Sequence, residues 1–502
     1  MKEAAQRLFI IGMCAIFQLL FTIVFLFEFS EQFIIIHAIL LVFSALIILG
    51  MVKNSKNLSS KIPWIILISL FPILGTLLYL IIGHSLYRSK ILRKISKSII
   101  KSKGYLKQDK NILEELKSDD VYGQIKYISE YAKYPIYNNS EIKYFSLGEI
   151  AFEAMLEELK KAKKFIFIEY FIIAEGVMWQ SILNILEEKV NEGVDVRVIY
   201  DDVGSIGTLK WNYYNILQSK GIKCVCFNKL KPIVEVIMNS RDHRKIMIID
   251  GNVAFSGGIN IADEYINKKI KYGHWKDNGI MIKGEAVWNF TIIFLEIWNA
   301  YYEEKIDYKE FYPTIKASNK NCGYLVPYAE NPLENESVGE NIYLNILSQA
   351  KKYVYIFTPY LIIDTEMISA LTLASKRGVD VRIITPGVPD KRAVFSLTRS
   401  YYEMLINDGV KIYEYTPGFI HGKVFVCDDK IATVGTLNLD YRSLYLHFEC
   451  GVFIYNSDVI QDIKKDALDT FEKSHLISKK ECKNNFVKGI LNAILRIFAP
   501  LL

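Results

Sequence analysis

The chain has 502 residues, 51 % of them hydrophobic, and a formal net charge of +6. That length holds two or three domains with full cores, and its charge is local: between Arg88 and Lys110 nine Lys/Arg face the single acid Asp109, leaving the remainder at −2. A basic surface spread over the folded part, the usual footprint of a nucleic-acid binder, is thereby excluded, and no nucleic-acid partner is expected.

The apolar excess sits at the start. Leu8–Phe27 and Phe33–Val52 are each about 20 apolar residues, enough to cross a bilayer as helices. The first is too long for a signal-peptide core, lacks a small-residue cleavage site and is followed at once by a second run, so a transmembrane hairpin is expected. The third run, Ile62–Gly83, carries Pro63, Pro72 and Gly75, which weaken a straight span. Lys2, Arg7 and the basic loop Lys53–Lys61 flank a first turn containing Glu28 and Glu31. By the positive-inside rule the first two runs go out and return; the third is then re-entrant or interfacial, or the chain starts outside and crosses three times. Both solutions leave the rest of the chain inside. The basic stretch after these runs reads as a solvated linker or as a segment drawn to anionic headgroups, the second being favoured directly after a membrane segment.

The seven cysteines (Cys14, Cys224, Cys226, Cys322, Cys427, Cys450, Cys482) are odd in number and show no paired CxxC spacing. A reducing compartment fits, with Cys224 and Cys226 in the core.

The remainder repeats itself once. Ala162-Lys-Lys-Phe-Ile-Phe-Ile returns as Ala350-Lys-Lys-Tyr-Val-Tyr-Ile, Gly193-Val-Asp-Val-Arg as Gly378-Val-Asp-Val-Arg, Gly221-Ile-Lys as Gly409-Val-Lys, and His243-x-Lys as His421-x-Lys. Each half predicts a helix (150–164 in the first), an apolar strand, a helix over Trp179–Glu192, a strand over Val194–Tyr200, then helix and strand. This alternation argues for an α/β class with a mostly parallel sheet, and two copies argue for a pseudo-dimer with one site at the interface. The divide is expected near Lys316–Gly323. The chain closes on Phe486–Leu502, apolar at helical spacing, which reads either as a helix docked on the core or as an interfacial anchor.

His243-Arg-Lys-Ile-Met-Ile-Ile-Asp250 enters a buried strand. In an extended chain His243 and Lys245 share a face and Arg244 points away. Asp250, of opposite parity and before a glycine, reads as a turn residue. Asn260 stands 17 residues after His243, and Asn438 stands 17 after His421, behind Gly435-Thr436. Two such triplets in register with an independent repeat point to phosphodiester transfer. Lys245 and Lys423 would supply fixed positive charge, with Asn260, Asn438 and the Thr436 hydroxyl as further donors to the phosphate. One imidazole attacks phosphorus to give a phospho-histidine while the other moves the proton of the leaving and incoming alcohols. The two histidines sit in near-identical settings, and residue pattern alone does not order them. Carboxylates to fix their tautomers are expected 34 and 28 residues downstream, at Asp277 and Glu449. No metal-ligand cluster is visible, and no cofactor is expected.

These residues resemble the phospholipase D superfamily, whose HxKxxxxD signature with a downstream Asn is matched by His243, Lys245, Asp250, Asn260 and by His421, Lys423, Asp428, Asn438. By that resemblance Asp250 and Asp428 join the catalytic set. Pro63-Trp through Pro72, Gly75, Tyr79 and Gly83, Asp201-Asp-Val-Gly-Ser205, Arg241-Asp-His-Arg-Lys, Thr358-Pro-Tyr360, Gly435-Thr-Leu-Asn-Leu-Asp440-Tyr-Arg-Ser443 and the final Ala-Pro-Leu-Leu are similar to bacterial cardiolipin synthases; an extra N-terminal apolar run departs from their two-span members. The resemblance implies two phospholipase D-like α/β/α domains (139–318 and 319–485), preceded by a transmembrane region (1–87) and a basic linker (88–138) and followed by an amphipathic tail (486–502). It implies a multi-pass protein of the cell membrane with its catalytic domains facing the cytoplasm. It further implies phosphatidyl transfer between two phosphatidylglycerol molecules, with His243 as nucleophile and His421 as general acid/base. The partners would be phosphatidylglycerol, anionic lipids and the bilayer. A hydrolytic phospholipase D or another phosphatidyltransferase, such as one making phosphatidylserine, shares the same motifs.

Overall fold

Apolar runs such as Phe165–Tyr170 and Lys245–Ile249, rich in β-branched and aromatic residues, are buried at every position, as strands covered on both faces must be. They belong to a computed structural model that describes residues 31–54, 58–80, 90–229, 240–302, 307–314, 323–334, 336–482 and 486–501. The chain divides into two units: Met1–Arg88 with Lys231–Met238 and Ala493–Leu502, and Ser89–Leu230 with Asn239–Asn492.

In the larger unit the two repeats give two sheets of one plan. The first runs Ser140–Phe145, Gly279–Gly284, Val253–Gly257, Lys245–Ile249, Phe165–Tyr170, Asp195–Asp201, Lys223–Phe227. The second follows the same order from Tyr324–Glu330 to Lys411–Tyr415 and adds Ser474–Leu476 at its edge. The sheets are mixed, not mostly parallel. In each, among the described residues, only the strands joined through helices pair in parallel: Phe165–Tyr170 to Asp195–Asp201 to Lys223–Phe227, and Tyr353–Phe357 to Asp380–Pro386 to Lys411–Tyr415. The His-x-Lys strand pairs antiparallel on both sides; on the side of the next strand the short Asp250–Asn252 turn leaves room for a hairpin alone. The helix Val287–Tyr302, buried along almost its whole length, packs on the first sheet, on strand Tyr324–Glu330 and on the helix Lys90–Ser102.

That last contact changes the reading of the basic linker. Leu92, Ile95, Ile99 and Ser102 are the buried side of a 13-residue helix, and Ser102 Oγ donates to Glu296 Oε1 at 2.7 Å. The stretch is a folded element with a basic outer face. The expected divide at 316–322 lies outside the described residues.

In the smaller unit the first expected span, Leu8–Phe27, lies outside the described residues. The second falls on the helix Glu31–Asn54, of 24 residues, which leaves Ile35, Ile39, Val42, Leu46 and Leu49 exposed. Among the described residues no helix is long and apolar enough to cross a membrane. The third run is broken at Phe71 into helices of 9 and 7 residues, each with proline in its first turn; at 1.5 Å per residue neither reaches across about 30 Å of hydrocarbon. A Cβ on Gly75 would stand 2.7 Å from the Ile68 Cα and N, so glycine is what lets the two halves fold together. Ser44 Oγ and Thr76 Oγ1 bond at 3.0 Å beside them. The end of the chain docks here, Ala499–Leu501 against Ser59–Lys61.

Candidate active site

Two backbone bridges lock the halves of the larger unit together. His243 N donates to Phe448 O at 2.9 Å, and His421 N donates to Lys276 O at 2.7 Å. The residue after each acceptor is a carboxylate, which is thereby delivered to the histidine of the opposite half. His243 Nδ1 lies 2.9 and 2.8 Å from the Glu449 oxygens, and His421 Nδ1 lies 2.8 Å from Asp277 Oδ2. Both expected carboxylates are present, but the pairing is crossed: each histidine takes the acid of the other repeat. Strand pairing of Gly418–Ile420 with His274–Lys276 sets the second bridge.

Lys245 and Lys423 lie on the histidine faces. Lys245 Nζ donates to His243 O at 2.6 Å, and Lys423 Nζ donates to His421 O. All four side chains are buried. Burial, with the neighbouring lysines and histidines, holds His243 well below its ordinary pKa. Burial and Lys423 bring His421 down to about 4. The lysines fall to about 8 (Lys245) and about 7 (Lys423), again through desolvation first. Burial and mutual repulsion therefore press each cation to lose its proton, and an anionic phosphate beside them would reverse that pressure. Arg244 points the other way, as parity requires, with Nη1 3.5 Å from the buried Glu169.

The carboxylates differ. Burial pushes Glu449 well above the usual range, whereas for Asp277 burial is outweighed by His421 and Lys423 and its pKa is lowered. Their surroundings differ too. Thr436 Oγ1 donates to Glu449 Oε2 at 2.5 Å and accepts from Cys450 N at 2.9 Å. Its one proton faces Glu449 Oε2 and, at 3.1 Å, Cys450 O, so in this arrangement the Thr436 hydroxyl braces Glu449. The equivalent first-half position is Gly258, where a Cβ would lie 2.9 Å from Asp277 Cγ and from His421 O.

Asp250 and Asp428 lie outside the site. Each ends its strand with φ of +52° and accepts three backbone N–H groups of the start of the neighbouring strand. For Asp250 these are Lys163, Lys164 and Phe165, at 2.7–3.0 Å; for Asp428 they are Lys351, Lys352 and Tyr353, at 2.6–2.8 Å. Asp250 lies five residue steps along the chain from Lys245, about 16 Å at 3.3 Å each. Parity is right here and the signature's inclusion of these aspartates is corrected: they pin sheet geometry. Asn260 is partly committed, Nδ2 to Tyr265 OH at 2.7 Å and Oδ1 to Ile172 N at 3.1 Å. Asn438 is buried, and among the described residues its Oδ1 has no hydrogen-bond partner.

Sequence reading missed the walls. Phe171 stands edge-on to His243 at 4.9 Å, and Tyr265 to His421 at 5.4 Å. Two residues before each carboxylate, His447 and Trp275 place their rings 5.7 Å from His243 and His421; that mirrored spacing was the available signal. Among the described residues Nδ1 and Nε2 of His447 have no hydrogen-bond partner, and donor atoms of His243, His447 and Glu449 lie within 4.8 Å of one another. This is a group able to hold a cation that residue spacing did not show. Behind His243, Asp201 accepts from Asp242 N at 3.0 Å and lies 3.6 Å from Arg241 Nη1, which accounts for the Asp201 and Arg241 motifs.

Residues 155–298 and 343–469 match the family profile described as "Cardiolipin synthase, PLD-like domain", and residues 39–84 match one described as "Phospholipase_D-nuclease N-terminal". An uncharacterized protein of Streptococcus mutans is 45 % identical over 91 % of this chain and 99 % of its own. "Cardiolipin synthase 2" of Bacillus anthracis is 34 % identical over 89 % of this chain and 88 % of its own. "Cardiolipin synthase" of Alkalihalophilus pseudofirmus is 33 % identical over 98 % and 99 %. Among solved structures, phosphatidylserine synthase of Haemophilus influenzae superposes with a TM-score of 0.54 at 16 % identity, over 72 % of this chain and 94 % of its own; this likeness is one of fold.

Proposed function

We infer that this chain, which belongs to the cardiolipin synthase family of phospholipase D-like proteins, joins two phosphatidylglycerol molecules into cardiolipin and releases glycerol. The observation that carries this is the pair of crossed histidine–carboxylate dyads buried together with two lysines, in a chain that aligns over 98 % of its length with a cardiolipin synthase.

The two dyads differ in a way that favours an order. His421 faces Asp277, whose lowered pKa keeps it ionised and suits it to stabilise an imidazolium, so His421 serves as the proton carrier. His243, held neutral by burial and with Nδ1 fixed by Glu449, presents Nε2 with a free lone pair and serves as nucleophile. In the first half-reaction Nε2 of His243 attacks phosphorus, the P–O bond to glycerol breaks, and His421 gives its proton to the glycerol oxygen. In the second, a headgroup hydroxyl of another phosphatidylglycerol gives its proton to His421 and attacks phosphorus, and the P–N bond breaks. Lys245 and Lys423 neutralise the nonbridging oxygens throughout.

The site is proposed to work at the cytoplasmic face of the cell membrane, on anionic lipids and not on nucleic acid. The exposed apolar side chains of the helix Glu31–Asn54, the apolar run before it, and the basic outer face of Lys90–Ser102 support this. So do the five described cysteines, all free. Proteolysis of right-side-out and inverted vesicles tests the orientation: the larger unit should be cut only when inverted. Product analysis tests the reaction. Purified full chain given phosphatidylglycerol should yield cardiolipin and glycerol in equal amounts; phosphatidic acid as the main product would replace the reading by a hydrolytic one.

A further inference from the structure

Three loops of the first half meet beside the site. Glu175 N donates to Thr208 O at 3.2 Å, tying segment 174–177 to loop 203–211. Asp263 accepts from Val177 N and Met178 N, tying it to the segment that leads into loop 267–272. Two of them touch residues that flank the histidines. Ser205 Oγ reaches Phe171 O at 3.4 Å, next to His243, and the Asn267 side chain bonds both the N–H and the C=O of Trp275, next to His421. The rim is unusually apolar for exposed loops, with Val177 at 54 %, Ile206 at 49 %, Trp211 at 73 % and Ile270 at 82 % exposure. Its acids are matched: Glu175 faces Lys210 at 3.8 Å and Glu264 faces Lys271 at 3.3 Å. Lys268 and Lys269 immediately precede Ile270 and, among the described residues, no carboxylate pairs with them.

We propose that this rim seats the catalytic unit on an anionic phospholipid surface, with Val177, Ile206, Trp211 and Ile270 entering the interface and Lys268 and Lys269 meeting headgroup charge. Exposed apolar tips with unpaired cations beside one of them are what such a surface selects. The proposal rests on the reading that the substrate is a bilayer phospholipid.

The test compares two forms of one substrate. Full chain is reconstituted in vesicles of equal parts phosphatidylglycerol and phosphatidylcholine, and separately assayed in detergent with water-soluble dihexanoyl-phosphatidylglycerol. Trp211→Ser with Ile270→Ser should raise KM for bilayer substrate about tenfold and leave turnover of the soluble form within about twofold. Lys268→Glu with Lys269→Glu should flatten the dependence on the anionic fraction. Equal loss on both substrates, or no change on either, overturns the proposal. A second readout does not depend on the reaction. Brominated phosphatidylglycerol should quench wild-type tryptophan fluorescence more than that of Trp211→Phe, and equal quenching overturns the rim even where no cardiolipin is formed.

Discussion

Glu449 stands 206 positions from His243, yet its carboxylate lies 2.8 Å from that imidazole; the equivalent Asp277 serves His421 in the other direction. Each half thus supplies a histidine and the acid that orients the other half's histidine, and neither repeat holds a complete site.

Coupling between mutations should follow the crossing. Glu449→Gln and Asp277→Asn should each lower turnover on the order of 10²–10⁴-fold, the range in which a misassigned tautomer costs a catalytic histidine. Glu449→Gln should add nothing to His243→Ala, while its effects with changes that spare His243 and its partners approach additivity. Measured cycles with the acids coupled within their own half would contradict the geometry.

Asp250 and Asp428 should behave as structural residues. Asp250→Ala leaves three strand-start N–H groups without their acceptor, at about 1–3 kcal/mol for the buried fraction. Thermal unfolding should shift down, while turnover per folded molecule stays within about twofold.

Thr436→Ser should retain activity and Thr436→Val should lose at least about tenfold, because the hydroxyl is what holds Glu449 against His243. A KM effect alone, with turnover unchanged, would return Thr436 to the role of phosphate donor.

Activity and stability should move oppositely with pH. Lys423 and Lys245, lowered to about 7 and about 8, lose the charge needed by the phosphate as pH rises, so kcat/KM should fall through that window. Stability should rise. Unfolded lysines hold their protons to about pH 10.4, so between about 7 and 10 the unfolded state binds more protons and unfolding free energy increases with pH. Lys423→Arg, which stays charged, should move the alkaline limb of the pH–rate profile upward.

The repeat, the two triplets and their strand parity were legible because each is a local pattern: period two along a strand puts His243 with Lys245 and sets Arg244 and Asp250 aside. Pro72 likewise marked the break in the third apolar run. The crossed acids were not legible, since only the Asp242–Phe448 and His421–Lys276 contacts between distant segments decide which carboxylate reaches which ring. Nor was the duty of Thr436, whose single proton has several acceptors within plausible reach until the fold chooses Glu449. The mixed sheet escaped for a related reason: apolar runs look alike in parallel and antiparallel strands, and only the length of the connection separates them.

The most direct measurement is the site of the covalent intermediate. Full chain mixed with phosphatidylglycerol labelled at phosphorus, quenched in alkali within the turnover time and digested to peptides, should carry the label on His243, with none in His243→Ala. Label on His421, or steady turnover by His243→Ala or His421→Ala at the wild-type rate, would contradict a shared two-histidine site in which His243 attacks and His421 carries the proton.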